Sequence, residues 1–464
     1  KMLAEIKDKL VSITGRDWVI DEIDLIKQYL TDETPEPAAP KATENVIVVK
    51  PASTEEISKI MEEAQKKRIP VIPRGAGTGL CGAAIPTEPS IILSLERLNQ
   101  ILEMDEDNLM VTCQSGLTLE GLFEAVNNTE DLFFPPHPGD EGAQVGGLVV
   151  ENAGGARAVK YGVMRNYVKG MKVVLADGRV VNMGGKILKN NTGYDLMHLI
   201  IGSEGTLGIV TEVTLRLYPR AKETATLLVP FENRHQAMDT VPEILKKGHI
   251  PLALEYVEDK LIRESAKHLG KDWPAKEGNA FLILIVTGDT ADKIFEKCDV
   301  IAGVCKENGA SEPLFAQRRK EQENILDIRS NIYTALEDHT TDILDVTVPP
   351  ASIGALLDKL DVLAEEYDTE IPVYGHAADG NVHPHIMKTD GDTPDYFEDL
   401  KEDIYKSTLE MGGVITGEHG IGQTRIKNLP RALGEDSLEL MRRIKKAFDP
   451  SGILNPGKAI SDKS

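Results

Sequence analysis

The sequence predicts an α+β protein with more than one domain, and three observations support this fold class. A chain of 464 residues is too long for one compact core, so two or three domains are expected. Short strands and amphipathic helices alternate between about residues 46 and 220. Residues 221–415 carry longer helices, more charge and only short strands. We therefore divide the chain into residues 1–45, 46–220, 221–415 and 416–464.

The charge of the chain excludes two classes of partner. Its formal net charge is −23, so nucleic acid and anionic membrane surfaces would both repel it. An anionic small substrate would need cations placed locally. No apolar run of 18 residues is present, so no membrane span is expected. The four cysteines show no CxxC spacing and no targeting segment opens the chain, which predicts a cytoplasmic protein.

The first 45 residues predict an accessory helix and a linker. Leu3, Ile6, Leu10 and Ile13 follow helical spacing, and the Pro-rich stretch TPEPAAPKATE follows them. Because this helix is expected to lie outside the cofactor domain, we consider it a candidate for docking a redox partner.

The next segment predicts strands that surround one well-capped helix. The strands are VIVVKP, IILSL, LMVTCQ, KVVLADGRVV and IVTEVTLRLYP, and the fourth of them turns at Asp177-Gly178. Ser53 and Glu56 form a capping-box pattern at the start of the helix. Its apolar stripe consists of Ile57, Ile60, Met61 and Ala64. Later, AFLILIV predicts a strand, and a tail helix ends at Asp449-Pro450.

Three glycine-rich loops, each bordered by a strand pattern, predict an extended ligand. The first, IPRGAGTGLCG, suits a phosphate because closely spaced glycines let successive N–H groups face one anion. It matches GxGxxG literally, but no helix pattern follows, so a dinucleotide fold is not indicated. A merely flexible loop is the alternative. Residues 146–163 and 202–212 supply the other two loops, which suggests an adenine, a pyrophosphate and a second ring system.

Five stretches carry a family resemblance: RGAGTG, ENAGGARAVKYG, KNNTGYDL, GSEGTLGI and GILNPGK. With them, the chain resembles the flavin dehydrogenases typified by vanillyl-alcohol oxidase and para-cresol methylhydroxylase. Within that family it is similar to the glycolate oxidase subunit and D-lactate dehydrogenase branch. The resemblance implies an N-terminal extension (1–45), a two-part FAD-binding domain (46–220) and an α+β cap domain for the substrate (221–415). It also implies a C-terminal segment (416–464) that completes the active site.

The resemblance implies FAD bound without a Rossmann unit, with its pyrophosphate on the first glycine loop and its isoalloxazine near the other two. No histidine lies in the first loop, so the flavin is expected to be non-covalent. The stretch HPGDEGAQVGG departs from the family pattern at Gly139, Asp140 and Gln144. The implied FAD-binding residues are Arg74, Gly75, Ala76, Gly77, Thr78, Gly79, Pro138, Gly139, Gly146, Gly147, Asn152, Gly155, Tyr161, Gly162, Glu204, Gly205, Ile209 and Asn455.

The stretch HAADGNVHPH, from His376 to His385, raises the question of a metal site. His376 and His383 can meet only if the chain turns at Asp379-Gly380, which that pair of residues favours. TGEHGIG supplies Glu418 and His419 in another glycine-flanked loop. From spacing alone, a metal site and ordinary core or surface histidines both stay open.

The resemblance implies a role for each of these residues. His376, His383 and Glu418 would bind one divalent metal, Fe(II) or Zn(II), and His419 would act as the base. Arg329 would bind the substrate carboxylate, with an exposed helical arginine as the alternative. For His385, a ligand role and a role in orienting the loop both stay open.

The activity that these roles imply is oxidation of a small D-2-hydroxy acid, with D-lactate to pyruvate as the first choice. Hydride would pass to FAD, and electrons would pass on to a soluble electron-transfer flavoprotein. Glycolate and D-2-hydroxyglutarate are alternative substrates for the same mechanism. A flavin oxidase that uses O2, acting on a sugar or an aromatic alcohol, is another alternative. From a different class, the chain could be a non-catalytic flavin- and metal-binding subunit.

Overall fold

The computed structural model describes residues 2–461 and has a mixed α and β architecture. Lys1 and residues 462–464, which belong to the two predicted terminal segments, lie outside the described residues. The helices are α1 (Met2–Thr14), α2 (Ile23–Ile26), α3 (Thr54–Lys67), α4 (Leu119–Asn127), α5 (Val145–Glu151), α6 (Ala158–Tyr161), α7 (Met197–Ile200), α8 (Arg234–Lys246), α9 (Asp259–Leu269), α10 (Ala291–Glu307), α11 (Arg319–Ser330), α12 (Ile332–Leu336), α13 (Ile353–Glu366), α14 (Phe397–Glu410), α15 (Leu429–Leu433) and α16 (Glu435–Phe448).

The strands form three main sheets and one two-stranded ribbon. They are β1 (Val19–Ile20), β2 (Val46–Val49), β3 (Val71–Arg74), β4 (Ser90–Ser94), β5 (Ile101–Asp105), β6 (Met110–Gln114), β7 (Leu132–Phe133), β8 (Val168–Val174), β9 (Val180–Gly184), β10 (Ile209–Arg216), β11 (Tyr218–Pro219), β12 (Glu223–Phe231), β13 (Ala253–Glu258), β14 (Ala280–Gly288), β15 (Leu314–Ala316), β16 (Thr340–Ile343), β17 (Val346–Thr347), β18 (Val373–His376) and β19 (Asn381–Met387).

The first sheet has the order β1-β2-β4-β3, in which β2, β4 and β3 run parallel. Helix α3 covers it with the predicted apolar stripe, which is buried. Ser53 caps α3 by accepting the N–H of Glu56, as predicted. The Glu56 carboxylate reaches back to the N–H of Ala52, one residue earlier than a standard capping box requires.

The N-terminal helix is not an appendage, which corrects the expectation that it lies outside the cofactor domain. Leu3, Ile6 and Leu10 are buried in the core that α3 and the first sheet share. Strand β1 extends the same sheet by pairing antiparallel with β2. The apolar face that we considered for partner docking is therefore occupied by the protein's own core.

The residues just before the predicted Pro-rich linker lie on the first glycine loop. The Arg74 guanidinium donates to the backbone carbonyls of Gln28, Tyr29 and Thr31. The N–H of residue 33 donates to the carbonyl of Gly79, and the N–H of residue 82 donates to the hydroxyl of residue 34. Residues 28–34 therefore form a strap across the loop that follows β3.

The second sheet is antiparallel, with the order β5-β6-β10-β8-β9. The predicted hairpin between β8 and β9 is present, and Gly178 adopts a positive φ of 84° in its turn. Helices α4 and α5 bury their apolar residues against this sheet, and α16 packs on the same core from the C-terminal segment.

The third sheet is antiparallel and belongs to the cap, with the order β15-β12-β14-β13-β18-β19-β16, and β17 also pairs with β19. Helices α8, α10, α13 and α14 cover one face, and α9, α11 and α12 cover the other. Among residues 2–461, no helix is both long and apolar enough to cross a membrane. The four cysteines are free and buried.

Replacing Leu10 by Ala tests whether the N-terminal helix is part of the core. We expect the free energy of unfolding to fall by about 2–5 kcal/mol, because a fully buried leucine leaves a cavity. Chemical denaturation followed by circular dichroism measures this change. Leu25→Ala is the matched control, since Leu25 is 48% exposed and should change stability by no more than about 0.5 kcal/mol. If both variants lowered the free energy of unfolding by the same small amount, the packing of Leu10 in the core would be contradicted.

Candidate active site

The hairpin of β18 and β19 brings two of the predicted histidines together. His376 pairs with Asn381, and residue 374 pairs with His383. Because directly opposed residues share one face of a sheet, His376 and His383 point to the same side, with ring centroids 5.6 Å apart. Gly380 makes the turn with a φ of 85°, and a Cβ there would lie 1.8 Å from the carbonyl of Val348. The predicted turn at Asp379-Gly380 is confirmed.

The loop after β19 and α14 brings Glu418 to this pair. Oε1 of Glu418 lies 3.5 Å from Nε2 of His376 and 3.5 Å from Nε2 of His383. The His419 ring stacks on the His383 ring with centroids 5.1 Å apart. Oε2 of Glu418 accepts the N–H of Gly155 at 2.6 Å, so this carboxylate also anchors the loop to the glycine-rich segment 146–163. The predicted metal ligands and the predicted base thus form one cluster.

Asp345 shapes the loop that carries Glu418, and the sequence analysis missed it. Its Oδ2 accepts the hydroxyl of Thr416 and the N–H groups of residues 417, 418 and 419 at 2.7–2.8 Å. Burial alone would raise the pKa of Asp345, but the nearby side chains of His419, His383 and Arg425, together with these hydrogen bonds, hold it well below its usual value. No signal in the sequence marks this residue, because Asp345 stands alone between strand patterns.

A carboxylate lies next to Nδ1 of both His376 and His383. Glu255, on β13, lies directly opposite His376 and holds its Nδ1 at 2.6 Å. Oδ1 of Asp345 lies 3.7 Å from Nδ1 of His383. Carboxylates in these positions fix the ring orientation and leave Nε2 facing a metal. Two imidazole nitrogens and one carboxylate oxygen, supported in this way, fit a divalent cation such as Fe(II) or Zn(II).

Two overlapping donor sets could hold that cation. Asp345, His383, Glu418 and His419 offer donor atoms that all lie within 4.8 Å of one another. However, the Asp345 oxygens already accept hydrogen bonds from the loop backbone and from the side chain of Asn381. Nε2 of His376 instead contacts Glu418, which is itself a member of the predicted set. We therefore favour the predicted set of His376, His383 and Glu418.

The pKa values of the side chains in this cluster are shifted in different directions. Burial opposes the charged form of His376, yet Glu255 and Glu418 hold its pKa well above the usual value. Burial and the field of His419 lower the pKa of His383 to about 4. Burial opposes ionisation of Glu418, but His376 and His383 lower its pKa to about 2. Without a metal, these shifts favour a protonated His376, a neutral His383 and an ionised Glu418 near neutral pH.

Arg329 lies beside the cluster and is not an exposed helical arginine. Its side chain projects from α11, is buried, and forms an ion pair with Oε2 of Glu255 at 2.5 Å. The guanidinium carbon lies 4.9 Å from the centroid of the Tyr374 ring. Its Nε has no hydrogen-bond partner within the described part of the chain, so a donor is available for a ligand. Glu255 thus joins Arg329 to His376.

His385 is a core histidine and not a ligand. Its Nδ1 lies 3.0 Å from the hydroxyl of Thr340, and its Nε2 lies 3.1 Å from the hydroxyl of Tyr374. The residue is completely buried, and this burial lowers its pKa to about 3. Because both ring nitrogens are engaged by neutral hydroxyls, the structure favours the orienting role of His385 over a ligand role.

A cavity of about 260 Å³ lies next to this cluster. Glu418 and His419 line it together with all three glycine-rich loops. Gln144 and Asn455 each present a buried side-chain oxygen there that has no partner among the described residues, as a site for a polar cofactor requires. The predicted FAD-binding residues that line it are Arg74, Gly75, Ala76, Gly77, Thr78, Gly79, Pro138, Gly146, Gly147, Glu204, Gly205, Ile209 and Asn455.

The other predicted FAD-binding residues stand behind the cavity wall. They are Gly139, Asn152, Gly155, Tyr161 and Gly162, none of which is among its lining residues. Asn152 ends α5 with a φ of 55°, and its side chain accepts the N–H of residue 165. Tyr161 packs edge-on against the ring of Phe133, and Gly155 holds Glu418. These residues support the wall, because the loop folds back on itself after α5.

Two predicted residues also join distant parts of the chain at the cavity. The Glu204 carboxylate accepts the N–H groups of Ile421 and Gly422 at 2.6 and 2.7 Å. The Asn455 amide donates to the carbonyl of Glu204 at 2.8 Å and to that of Ala83 at 3.2 Å. Glu151 and Glu33 also line the cavity, and the sequence analysis assigned no role to either. The C-terminal segment therefore closes the cavity as expected.

Comparison with protein families identifies this architecture. Residues 220–459 match the family described as FAD linked oxidases, C-terminal domain, and residues 46–184 match the FAD binding domain family. The chain belongs to the FAD-linked oxidases. The chain therefore contains a FAD binding domain, and the expected resemblance to the vanillyl-alcohol oxidase and para-cresol methylhydroxylase family is confirmed.

Individual relatives of this FAD-linked oxidase extend over nearly the whole chain. D-lactate dehydrogenase of Archaeoglobus fulgidus is 44% identical, covering 93% of this chain and 95% of the relative. A glycolate oxidase subunit of Bacillus subtilis is 37% identical, covering 98% and 96%. D-2-hydroxyglutarate dehydrogenase of Stutzerimonas stutzeri is 31% identical, covering 97% and 98%. The crystal structure of p-cresol methylhydroxylase matches with a TM-score of 0.74 at 18% identity, covering 99% and 96%, which confirms the predicted fold class.

Asp345→Asn should destabilise the Glu418 loop. The amide keeps one oxygen for the loop, but it removes the negative charge and turns an N–H donor toward the Asn381 amide that Oδ1 accepts, so we expect unfolding to become easier by about 3 kcal/mol or more. Thermal and denaturant unfolding of the FAD-loaded protein measure this loss. Asp358→Asn is the control, because that carboxylate is exposed and its ion pairs contribute about 1 kcal/mol or less. A loss no larger than that of the control would show that the loop does not depend on Asp345.

Proposed function

We propose that this protein is an FAD- and metal-dependent dehydrogenase that oxidises a small D-2-hydroxy acid, with D-lactate to pyruvate as the preferred reaction. The supporting observation is the convergence of His376, His383 and Glu418 beside His419 at the edge of the FAD cavity. The names of the relatives, a D-lactate dehydrogenase, a glycolate oxidase subunit and a D-2-hydroxyglutarate dehydrogenase, agree with this class of substrate.

The proposed metal ligands are Nε2 of His376, Nε2 of His383 and a carboxylate oxygen of Glu418. A divalent metal held there would supply Lewis acidity that lowers the pKa of the substrate hydroxyl. Glu255 orients His376, and Asp345 supports both His383 and the Glu418 loop.

His419 is the proposed base. Its Nδ1 has no hydrogen-bond partner among residues 2–461, and its ring is held in place by stacking on His383. FAD bound in the cavity would supply a two-electron acceptor for the C2 hydrogen as hydride, and His419 would take the hydroxyl proton, so that a 2-hydroxy acid would become a 2-oxo acid.

Arg329 is the proposed partner of the substrate carboxylate, because its buried guanidinium has an unpartnered Nε next to the cluster. Arg329 is not among the described residues that line the cavity, and the only guanidinium there is that of Arg74, which three backbone carbonyls engage. A dicarboxylic acid would leave its second carboxylate without a cation. This charge balance favours lactate or glycolate over 2-hydroxyglutarate.

We propose that FAD is bound non-covalently, since His419 is the only histidine among the described lining residues and it is needed as the base. An electron-transfer flavoprotein stays the preferred acceptor, without a docking role for the buried face of α1. Cytoplasmic localisation also stays a prediction.

Anaerobic addition of D-lactate tests the proposal. The flavin absorbance should bleach within seconds, and prior incubation with EDTA should prevent bleaching, because the hydroxyl would no longer be acidified. Stopped-flow absorbance with D-lactate, glycolate and D-2-hydroxyglutarate ranks the substrates. Bleaching that EDTA leaves unchanged would refute the metal, and fastest bleaching by D-2-hydroxyglutarate would refute the substrate choice. Reoxidation by O2 as fast as by an electron-transfer flavoprotein would favour an oxidase.

The double variant His376→Ala/His383→Ala tests the ligand set. We expect the metal content, measured by elemental analysis, to fall from about one per chain to background, and D-lactate reduction to slow by at least ~100-fold. FAD content should stay unchanged. His235→Ala, at an exposed ion pair of the cap, is the control and should keep its metal. Full metal content and turnover in the double variant would eliminate the site.

Arg329→Lys tests the carboxylate contact. Because an ammonium cannot bind a carboxylate bidentately, we expect KM for D-lactate to rise about 10- to 100-fold. Steady-state kinetics with an artificial electron acceptor gives KM and kcat separately. Arg319→Lys on the same helix is the control, since its side chain is 92% exposed. An unchanged KM in Arg329→Lys would mean that the carboxylate binds elsewhere.

A further inference from the structure

Glu151 is a half-buried carboxyl group at the FAD cavity that the proposed reaction does not use. It is the last residue of α5 and lines the cavity together with Glu418 and His419. A Cβ on Gly420 would lie 1.8 Å from Oε1 of Glu151, so the loop that follows His419 closes directly onto this carboxyl group. Glu151 is therefore held at the end of the cavity where the base and the cluster lie.

The hydrogen bonds around Glu151 indicate that it carries a proton. Its neighbour Glu204 accepts two backbone N–H groups, and Asp345 accepts four donors through one oxygen. Among residues 2–461, the only hydrogen-bonding contact of the Glu151 carboxyl group is the Cys81 thiol, at 4.0 Å. A buried carboxylate without strong donors is costly, whereas a neutral carboxylic acid has an O–H that it can donate.

The electrostatic surroundings agree with this assignment. Burial raises the pKa of Glu151 well above its usual value, and the charges of Glu204 and Asp345 raise it further. Arg425 partly offsets this effect. That guanidinium is itself committed to the hydroxyl of Tyr405 and to two backbone carbonyls. The proton of Glu151 is therefore not displaced by a dedicated cation.

We propose that Glu151 is a neutral hydrogen-bond donor to the bound flavin, and that its O–H stabilises the reduced, negatively charged form of the isoalloxazine. Hydride transfer adds negative charge to the ring, and a fixed donor in a buried site interacts more strongly with that charge than with the oxidised ring. Glu151 thereby raises the reduction potential of the FAD. The proposal concerns the cofactor alone and holds whichever substrate the enzyme oxidises.

Reduction potentials of the FAD-loaded protein test the proposal without substrate, by reductive titration against a redox dye. In Glu151→Leu, the ratio of reduced to oxidised flavin at a fixed potential should fall at least about tenfold, which is about 30 mV for a two-electron couple. Glu151→Gln keeps a neutral donor and should stay within about threefold of the wild type. Glu124→Leu, at an exposed glutamate of α4, is the control and should leave the ratio unchanged.

Two outcomes would overturn the proposal. A tenfold rise of the reduced fraction in Glu151→Gln would mean that the native group is an ionised carboxylate. A wild-type potential in Glu151→Leu would mean that the side chain does not affect the flavin. If Glu151→Leu loses FAD, the infrared difference spectrum between the oxidised and the reduced wild-type protein tests the proposal instead. It should contain a carboxylic-acid C=O band that Glu151→Gln lacks, and its absence from the wild type would refute the proposal.

Discussion

The candidate site depends on one carboxylate that is not itself a proposed ligand. Oδ2 of Asp345 gathers three consecutive backbone N–H groups and a hydroxyl, and so gives residues 416–419 a single conformation. From this loop, Glu418 reaches the histidines of the cap with one oxygen and Gly155 of the FAD domain with the other. The cluster, the base and the cavity wall thus share one support. A loop rich in glycine needs such a support because its backbone has little conformational preference of its own.

Acidic side chains surround the site, and the partners that offset the negative charge differ from one carboxylate to the next. Glu204 and Asp345 receive backbone N–H groups, whereas Glu255 is shared between His376 and Arg329. Glu151 has no comparable partner among the described residues, which is why we assign it a proton. Buried charges are costly unless they are paired, so these contacts decide which groups are ionised. The overall charge of −23 therefore says little about the local field that a substrate meets.

The N-terminal segment shows how a region that looks accessory can belong to the cofactor domain. Its helix completes the first hydrophobic core, and the strap of residues 28–34 holds the glycine loop through Arg74. Arg74 therefore contributes its backbone to the cavity while its guanidinium binds the strap. The strap lies almost entirely before the Pro-rich stretch from which we predicted a linker, and composition does not reveal which surface such a segment covers.

Local pattern alone determined much of this protein. Period-two and helical spacing predicted the strands and the capped helix α3, the glycine loops predicted the cofactor cavity, and Asp379-Gly380 predicted the hairpin turn. These features depend on residues that are neighbours in the chain. Only the tertiary structure revealed Asp345, Glu255 and Glu151, and only it placed His385 in the core. These four residues act through partners that lie more than 30 positions away or, for His385, through the packing of a whole sheet. Because such contacts form only when segments far apart in the chain meet, their residues carry no local signature.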